Sequence, residues 1–257
     1  MSFLDFSVDD AKTHWKRLCD LLWFHDGLGI WLDVSRMRVN AADFERLEPG
    51  FETAFQAMQQ LEAGAIANPD EQRQVGHYWL RAPELAPSEP VRNHVAREID
   101  QIEQFGKDVL SGAIKAPCGK PFTDVLWIGI GGSGLGPMLM VRALQRPNAG
   151  LPFHFFDNVD PDGMSTVLAG LGDRLKTTLV VTVSKSGGTP EPHIGMEQAR
   201  LRLDAVGGSW PEQAVAITMA ESKLDQQASQ QGWLKRFDMF DWVDGRTSIT
   251  SAVGLLP

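Results

Sequence analysis

Two short stretches of this chain carry residue types that could do chemistry. The first is Gly129-Ile-Gly-Gly-Ser-Gly-Leu-Gly136, and the second is Ser184-Lys-Ser-Gly-Gly-Thr189. The second packs three hydroxyls, one lysine and two glycines into six residues. A tetrahedral phosphoryl group needs several convergent donors, and hydroxyls with backbone N–H groups supply them without burying a large charge. Lys185 either adds a cation there or points to solvent. Pro190 suits the first turn of a following helix, with Thr189 as its N-cap. The Walker spacing is missing, because Gly187 and Gly188 are not followed by Gly-Lys-Ser/Thr.

The first stretch admits a rival reading. Gly129, Gly131 and Gly134 fit G-x-G-x-x-G, and Asp157 follows at a distance suited to an acid on a ribose hydroxyl. That points to a nicotinamide-dependent oxidoreductase. The physical content of such a loop is broader, however. Glycines let a ligand approach the backbone, and the next helix offers free N–H groups at its positive end. Ser133 adds a hydroxyl that a dinucleotide loop does not need. A dinucleotide fold has no use for the Ser184–Thr189 loop either.

Both loops fall where an alternating pattern places strand ends. Strands are expected at Asp124–Ile130, Pro152–Phe156, Thr178–Val183, Ala214–Thr218 and Phe237–Phe240. Helices are expected at Leu135–Gln145, Gly163–Leu171, Glu191–Leu203 and Ser222–Gln230. This alternation predicts a parallel sheet covered on both faces, with ligands at the carboxyl ends of its strands. Residues before about 120 read differently. Helices are expected at Asp9–Phe24 (Asp9 or Asp10 as cap), Ala41–Ala67, Glu71–Arg81 and Val91–Leu110, with a proline-rich connector, Ala82–Pro90. In the second, Phe44, Leu47, Phe51, Phe55, Met58 and Leu61 form an apolar stripe. The division is a helical segment over 1–120 packing on a sheet domain over 121–257.

The 257-residue chain has a formal net charge of −9, which disfavours nucleic acid and anionic lipid as partners. The acidic N-terminus does not resemble a signal peptide, and no run of about 18 apolar residues occurs. The expectation is a cytoplasmic protein outside the membrane. Cys19 and Cys118 belong to no metal-ligand cluster and read as reduced structural thiols. The six histidines carry no motif, although His193 follows the phosphate loop closely enough to approach a ligand.

The loop Ser184–Thr189 resembles the phosphosugar-binding loop of sugar isomerase (SIS) domains. Together with Gly129–Pro137 and Val243-Asp-Gly-Arg246-Thr-Ser248, it resembles the glucose-6-phosphate isomerase family. Gln74-Val-Gly-His-Tyr-Trp-Leu-Arg81-Ala-Pro83 is similar to that family's arginine-alanine-proline turn. The resemblance implies an α/β fold: a three-layer αβα SIS domain with a parallel sheet, preceded by the N-terminal helical segment. It implies aldose–ketose isomerisation of glucose 6-phosphate and fructose 6-phosphate through a cis-enediol(ate), without organic cofactor or metal. By the same resemblance Ser184, Lys185, Ser186, Gly187, Gly188 and Thr189 hold the phosphate, and Gly132 and Ser133 touch the sugar. Arg246 stands near the enediolate, where a fixed guanidinium stabilises developing charge.

The family's glutamate base and its ring-opening histidine and lysine lie in later motifs that find no match here. The chain is therefore expected to be the N-terminal portion of such an enzyme, homodimeric at full length. Two other readings stand beside it. One is a non-catalytic SIS-type phosphosugar binder, for which no output element is evident. The other is the nicotinamide enzyme.

Overall fold

A computed structural model of the chain describes residues 10–146 and 149–257. It divides into two compact units, Met1–Gln60 and Leu61–Pro257.

In the first unit, helix α1 (Ala11–Leu21) is capped by Asp10, whose carboxylate accepts the Thr13 N–H at 3.0 Å. The alternative cap, Asp9, lies outside the described residues. The helix ends three residues before the expected Phe24. Leu22–His25 (β1) pairs antiparallel with Ile30–Asp33 (β2) instead. Two aromatic and β-branched runs flank Asp26-Gly-Leu-Gly29, which makes a hairpin the better local solution, with Gly29 at φ +63°. Arg17 is buried, and its guanidinium donates to the carbonyls of Ser35, Met37 and Val39, fixing the segment after the hairpin against α1. Helix α2 (Ala41–Glu62) stops five residues short of the expected Ala67 and buries none of its side chains; Leu47, Phe51, Phe55 and Met58 of its stripe are exposed.

The second unit opens on a ribbon and not on a helix. The expected helix Glu71–Arg81 is replaced by a two-stranded ribbon, β3 (Ile66–Asn68) with β4 (Arg73–Gln74), followed by a 3-10 turn at His77–Leu80. Asn68 Oδ1 accepts the N–H groups of both Asp70 and Glu71, and Gln72 sits at φ +53°. An Asx turn followed by a left-handed residue cannot continue as helix. Helix α3 (Glu89–Leu110) then runs at the expected place, entered through Pro90.

Five parallel strands follow: β5 (Asp124–Ile128), β6 (Phe153–Phe156), β7 (Thr178–Val183), β8 (Ala214–Thr218) and β9 (Lys235–Asp238). Their order in the sheet is β6-β5-β7-β8-β9. Val125, Trp127, Val181, Val215 and Phe237 face Ile102, Phe105 and Val109 of α3. Leu126, Ile128, Val180 and Ala216 face α5 (Pro161–Leu171) and α6 (Pro190–Ala205) on the other side. The result is three layers, as expected. Strand β5 stops at Ile128, two residues early, and β9 is shifted two residues toward the N-terminus of its expected span. In both, the residues beyond are recruited into the loops at the strand ends.

Candidate functional site

The chain leaves β5 for β6 on one side of the sheet and later returns for β7 on the other. This makes the gap between β5 and β7 the topological switch point, where crossovers diverge and leave a crevice outside the strands' carboxyl ends. The two chemically loaded loops leave those two strands. Each runs into a helix N-terminus: α4 (Gly132–Leu144) after the first and α6 after the second. Free N–H groups and the positive end of the dipole are therefore delivered to the same place from two directions.

The first loop is tightened by its own backbone. A Cβ on Gly132 would stand 1.9 Å from the carbonyl oxygen of Gly245, so only glycine lets the Gly245–Thr250 turn lie against it. Pro137 lies inside α4 and has no N–H to give to the carbonyl four residues earlier, that of Ser133. Trp127 Nε1, from β5, donates to that oxygen at 2.8 Å and satisfies it. The helix entrance is thereby tied to the strand, while the Ser133 hydroxyl makes no hydrogen bond among the described residues.

The second loop is arranged differently. The Ser184 N–H donates to Ile217 O at 3.1 Å, and the Ser184 carbonyl accepts the Thr218 hydroxyl at 2.7 Å. Its backbone is fixed, yet the Ser184 Oγ is buried with no hydrogen-bond partner, as is the Thr182 Oγ1 one turn of pleat earlier. The exposed Ser186 hydroxyl accepts the Gly188 N–H at 3.2 Å. Gly187 sits at φ +66°, and a Cβ there would meet the Leu224 nitrogen at 2.3 Å. Thr189 caps α6 through its backbone conformation alone; its side chain makes no capping bond. A cavity of about 10 Å³ behind the loop is lined by Thr182, Ser184, Gly187, Thr189, His193 and Gln227 among others. The structure thus gathers Ser184, Gly187, Thr189 and His193 around one small polar space, with His193 on its exposed side.

Lys185 is turned toward a neighbouring turn of the chain and not into open solvent. Its Nζ donates to the carbonyls of Asp241 and Val243, each at 2.8 Å. Burial pushes its ammonium below the usual lysine value, and the positive charge of Arg73 adds to that; Asp244 and Asp241 oppose it. Lys185 therefore ties the phosphate-type loop to the turn that carries Arg246. Gly132 touches the same turn through Gly245, and Ser248 Oγ reaches both Gly245 O at 2.8 Å and Gly132 O at 3.5 Å. Arg246 itself is exposed and makes no hydrogen bond or ion pair among the described residues. Its guanidinium stands free on a turn clasped from both sides.

Sequence reasoning missed three parts of this arrangement: the Lys185 tether, the buried Thr182 hydroxyl, and the bonds of Ser248 to Gly245 and Gly132. Only Thr182 left a local signal, as one of two polar residues in the wholly buried strand Thr178–Val183. Asp157 does sit at the end of β6 beside the glycine loop, with Asn158 Nδ2 donating to it at 2.8 Å. The close backbone approach at Gly132, however, is taken by the chain's own Gly245 and not left for a pyrophosphate. The remaining histidines lie elsewhere: His154, for example, pairs with the buried Asp124 at the opening of β5, at 2.8 Å.

A parallel sheet in this order, with a hydroxyl-and-glycine loop at its switch point, defines a doubly wound αβα domain that takes its ligand at the carboxyl ends of the strands. Comparison with known proteins narrows the class. The sequence model of the phosphoglucose isomerase family matches residues 33–257, and the chain belongs to that family. It is 74% identical over 257 residues to the glucose-6-phosphate isomerase of Parasynechococcus marenigrum (strain WH8102), covering all of this chain and 47% of that protein. It is 73% identical over the same length to the glucose-6-phosphate isomerase of Synechococcus sp. (strain CC9605), covering 48% of it. A crystal structure of a glucose-6-phosphate isomerase from Chlamydia trachomatis superposes with a TM-score of 0.78 at 29% identity, over 94% of this chain and 46% of that one. The chain spans about half the length of the curated relatives it matches.

Proposed function

We propose that the chain carries the phosphosugar-binding part of a glucose-6-phosphate isomerase, interconverting glucose 6-phosphate and fructose 6-phosphate when the rest of the active site is supplied. The observation that carries this reading is the Ser184 hydroxyl, buried and unpartnered at the switch point, on a residue whose own backbone N–H and carbonyl are both hydrogen-bonded. A buried polar atom without a partner is costly, and a phosphoryl oxygen repays it.

In this reading the hydroxyls of Ser184, Ser186 and Thr189 and the N–H groups of Gly187 and Gly188 receive the phosphate. Lys185 contributes its charge from behind while holding the Arg246 turn. Gly132 and Ser133 border the sugar, and Arg246 stabilises the enediolate as its charge develops. Residues 121–257 form the phosphosugar-binding domain, with 1–120 as the segment preceding it. The full-length protein acts as a homodimer in the cytoplasm. Among the described residues, no helix is long and apolar enough to cross a membrane.

Calorimetry of the purified chain with fructose 6-phosphate and with NAD tests the reading. Binding of the sugar phosphate that is lost in Ser184→Ala supports it; binding of NAD alone overturns it. Residues 1–257 lack the motifs for the family's base, so a coupled isomerase assay is expected to show little or no turnover. Normal turnover would mean that the base lies within this chain.

A further inference from the structure

Outside the phosphate loops, one cluster of chemically capable side chains joins α3 to the end of β9. His94 and Glu98 lie one helical turn apart on α3 and so project from one face. Opposite them is Asp238, the last residue of β9. His94 Nε2 is 2.8 Å from Asp238 Oδ2, and Glu98 Oε2 accepts the Asp238 N–H at 3.2 Å. One ligand atom from each of the three side chains lies within 4.8 Å of the other two. Glu98 is 7% exposed, whereas His94 and Asp238 are half-buried, which leaves a way in from solvent. No lysine or arginine among the described residues forms an ion pair with Glu98. Lys235, whose charge acts on Glu98, donates to Gln101 Oε1 at 2.6 Å instead. The His94 ring is held edge-on against Phe240, with centroids 4.9 Å apart, so its orientation is set by packing.

We propose that His94, Glu98 and Asp238 form a binding site for one divalent transition-metal cation of the zinc type. An imidazole nitrogen with two carboxylate oxygens is a donor set that suits Zn²⁺, Co²⁺ or Mn²⁺ better than Ca²⁺ or Mg²⁺. Ligand atoms about 2.1 Å from a tetrahedral metal stand about 3.4 Å from one another, within reach of the separations found here. The metal replaces a proton between His94 and Asp238, and it neutralises a buried carboxylate whose hydrogen bond comes from the Asp238 backbone N–H. Its role is structural. It rivets α3 to the strand whose exit leads, within five residues, to the two carbonyls that hold Lys185. The site does not depend on the functional reading above.

The test uses metal-free protein titrated with Co²⁺, whose visible d–d absorption reports a site of low coordination number. One equivalent is expected to bind, to be displaced by Zn²⁺, and to raise the thermal midpoint by several degrees. His94→Ala and Glu98→Gln are each expected to weaken binding about ten-fold or more while keeping the wild-type circular dichroism. Ser184→Ala is expected to bind Co²⁺ normally. No binding by the wild-type protein, or unchanged binding in both His94→Ala and Glu98→Gln, overturns the proposal. In the first outcome the cluster is a His94–Asp238 hydrogen bond and nothing more.

Discussion

The loops after β5 and after β7 leave neighbouring strands of one sheet, yet glycine and serine mean different things in each. After β5, the glycines answer to the protein itself. Gly132 is there because the Gly245 carbonyl lies where a side chain would begin. The bond that Pro137 cannot make is replaced from within, by Trp127. After β7, the backbone is equally well held, but the side-chain hydroxyl of Ser184 is left buried and unspent. One loop has its close approach filled by its own chain, and the other keeps a buried hydroxyl unpaired. A glycine fingerprint read alone cannot tell these apart, which is why the first loop passes for a dinucleotide site and the second does not.

The largest effect that tests the contrast is at Gly132. In Gly132→Ala the new Cβ meets backbone, which cannot rotate away, and the Arg246 turn must shift. A loss of about 3 kcal/mol or more in urea unfolding is expected, together with loss of sugar-phosphate binding. A variant with wild-type stability would show that the first loop is not closed by its own chain.

Ser184→Ala should do the opposite. Removing a buried hydroxyl that has no partner leaves stability unchanged or raises it by up to about 1 kcal/mol. Binding of fructose 6-phosphate should weaken about 10- to 100-fold, the worth of one hydrogen bond to a charged group. If stability falls while binding holds, the hydroxyl serves the fold and the contrast between the loops collapses.

What the sequence revealed follows the same line. The central strands β5, β7 and β8 are buried on both faces and read as nearly continuous apolar runs, and with them as anchors all five strands and the loops between them were placed within about two residues. The hairpin at Leu22–Asp33 and the ribbon at Ile66–Gln74 were not seen. Trp23, Phe24, Ile30 and Trp31 fit a helical spacing as readily as an alternating one, and they face solvent, so no burial pattern chose between the two. The ribbon turns on Gln72 in a left-handed conformation, which nothing in a glutamine announces. The direction of Lys185 was out of reach for another reason. Its acceptors are backbone carbonyls 56 and 58 residues away, and a carbonyl has no sequence signature.

Lys185 is where the two loops are joined through the Arg246 turn, so Lys185→Met should act on both. Losing two hydrogen bonds, one of them to the part-buried Val243 carbonyl, is expected to cost about 1–3 kcal/mol at neutral pH. The pH dependence gives a finer signature. Burial holds the folded-state value of Lys185 below its unfolded value of 10.5. Between those two values the unfolded chain binds more protons, so this residue's contribution to stability rises as pH climbs through the window and is smallest below it. The wild-type advantage over Lys185→Met should therefore be larger near the top of that window than at pH 7, read from urea midpoints at both. An advantage that shrinks steadily with rising pH would mean that the ammonium is not buried against the turn.

The smallest effect separates hydroxyls within the second loop. Ser186 is exposed and already accepts the Gly188 N–H, so part of its capacity is spent inside the loop. Its own O–H can still donate to a phosphoryl oxygen, but in water that bond is worth less than the one from buried Ser184. Ser186→Ala is thus expected to weaken sugar-phosphate binding only about five-fold, close to 1 kcal/mol, with stability within about 0.5 kcal/mol of wild type. The ratio of the two serine effects is the informative quantity. If Ser186→Ala costs as much binding as Ser184→Ala, desolvation is not what distinguishes the clamp, and the ligand is held by the exposed rim of the loop and not by its buried base.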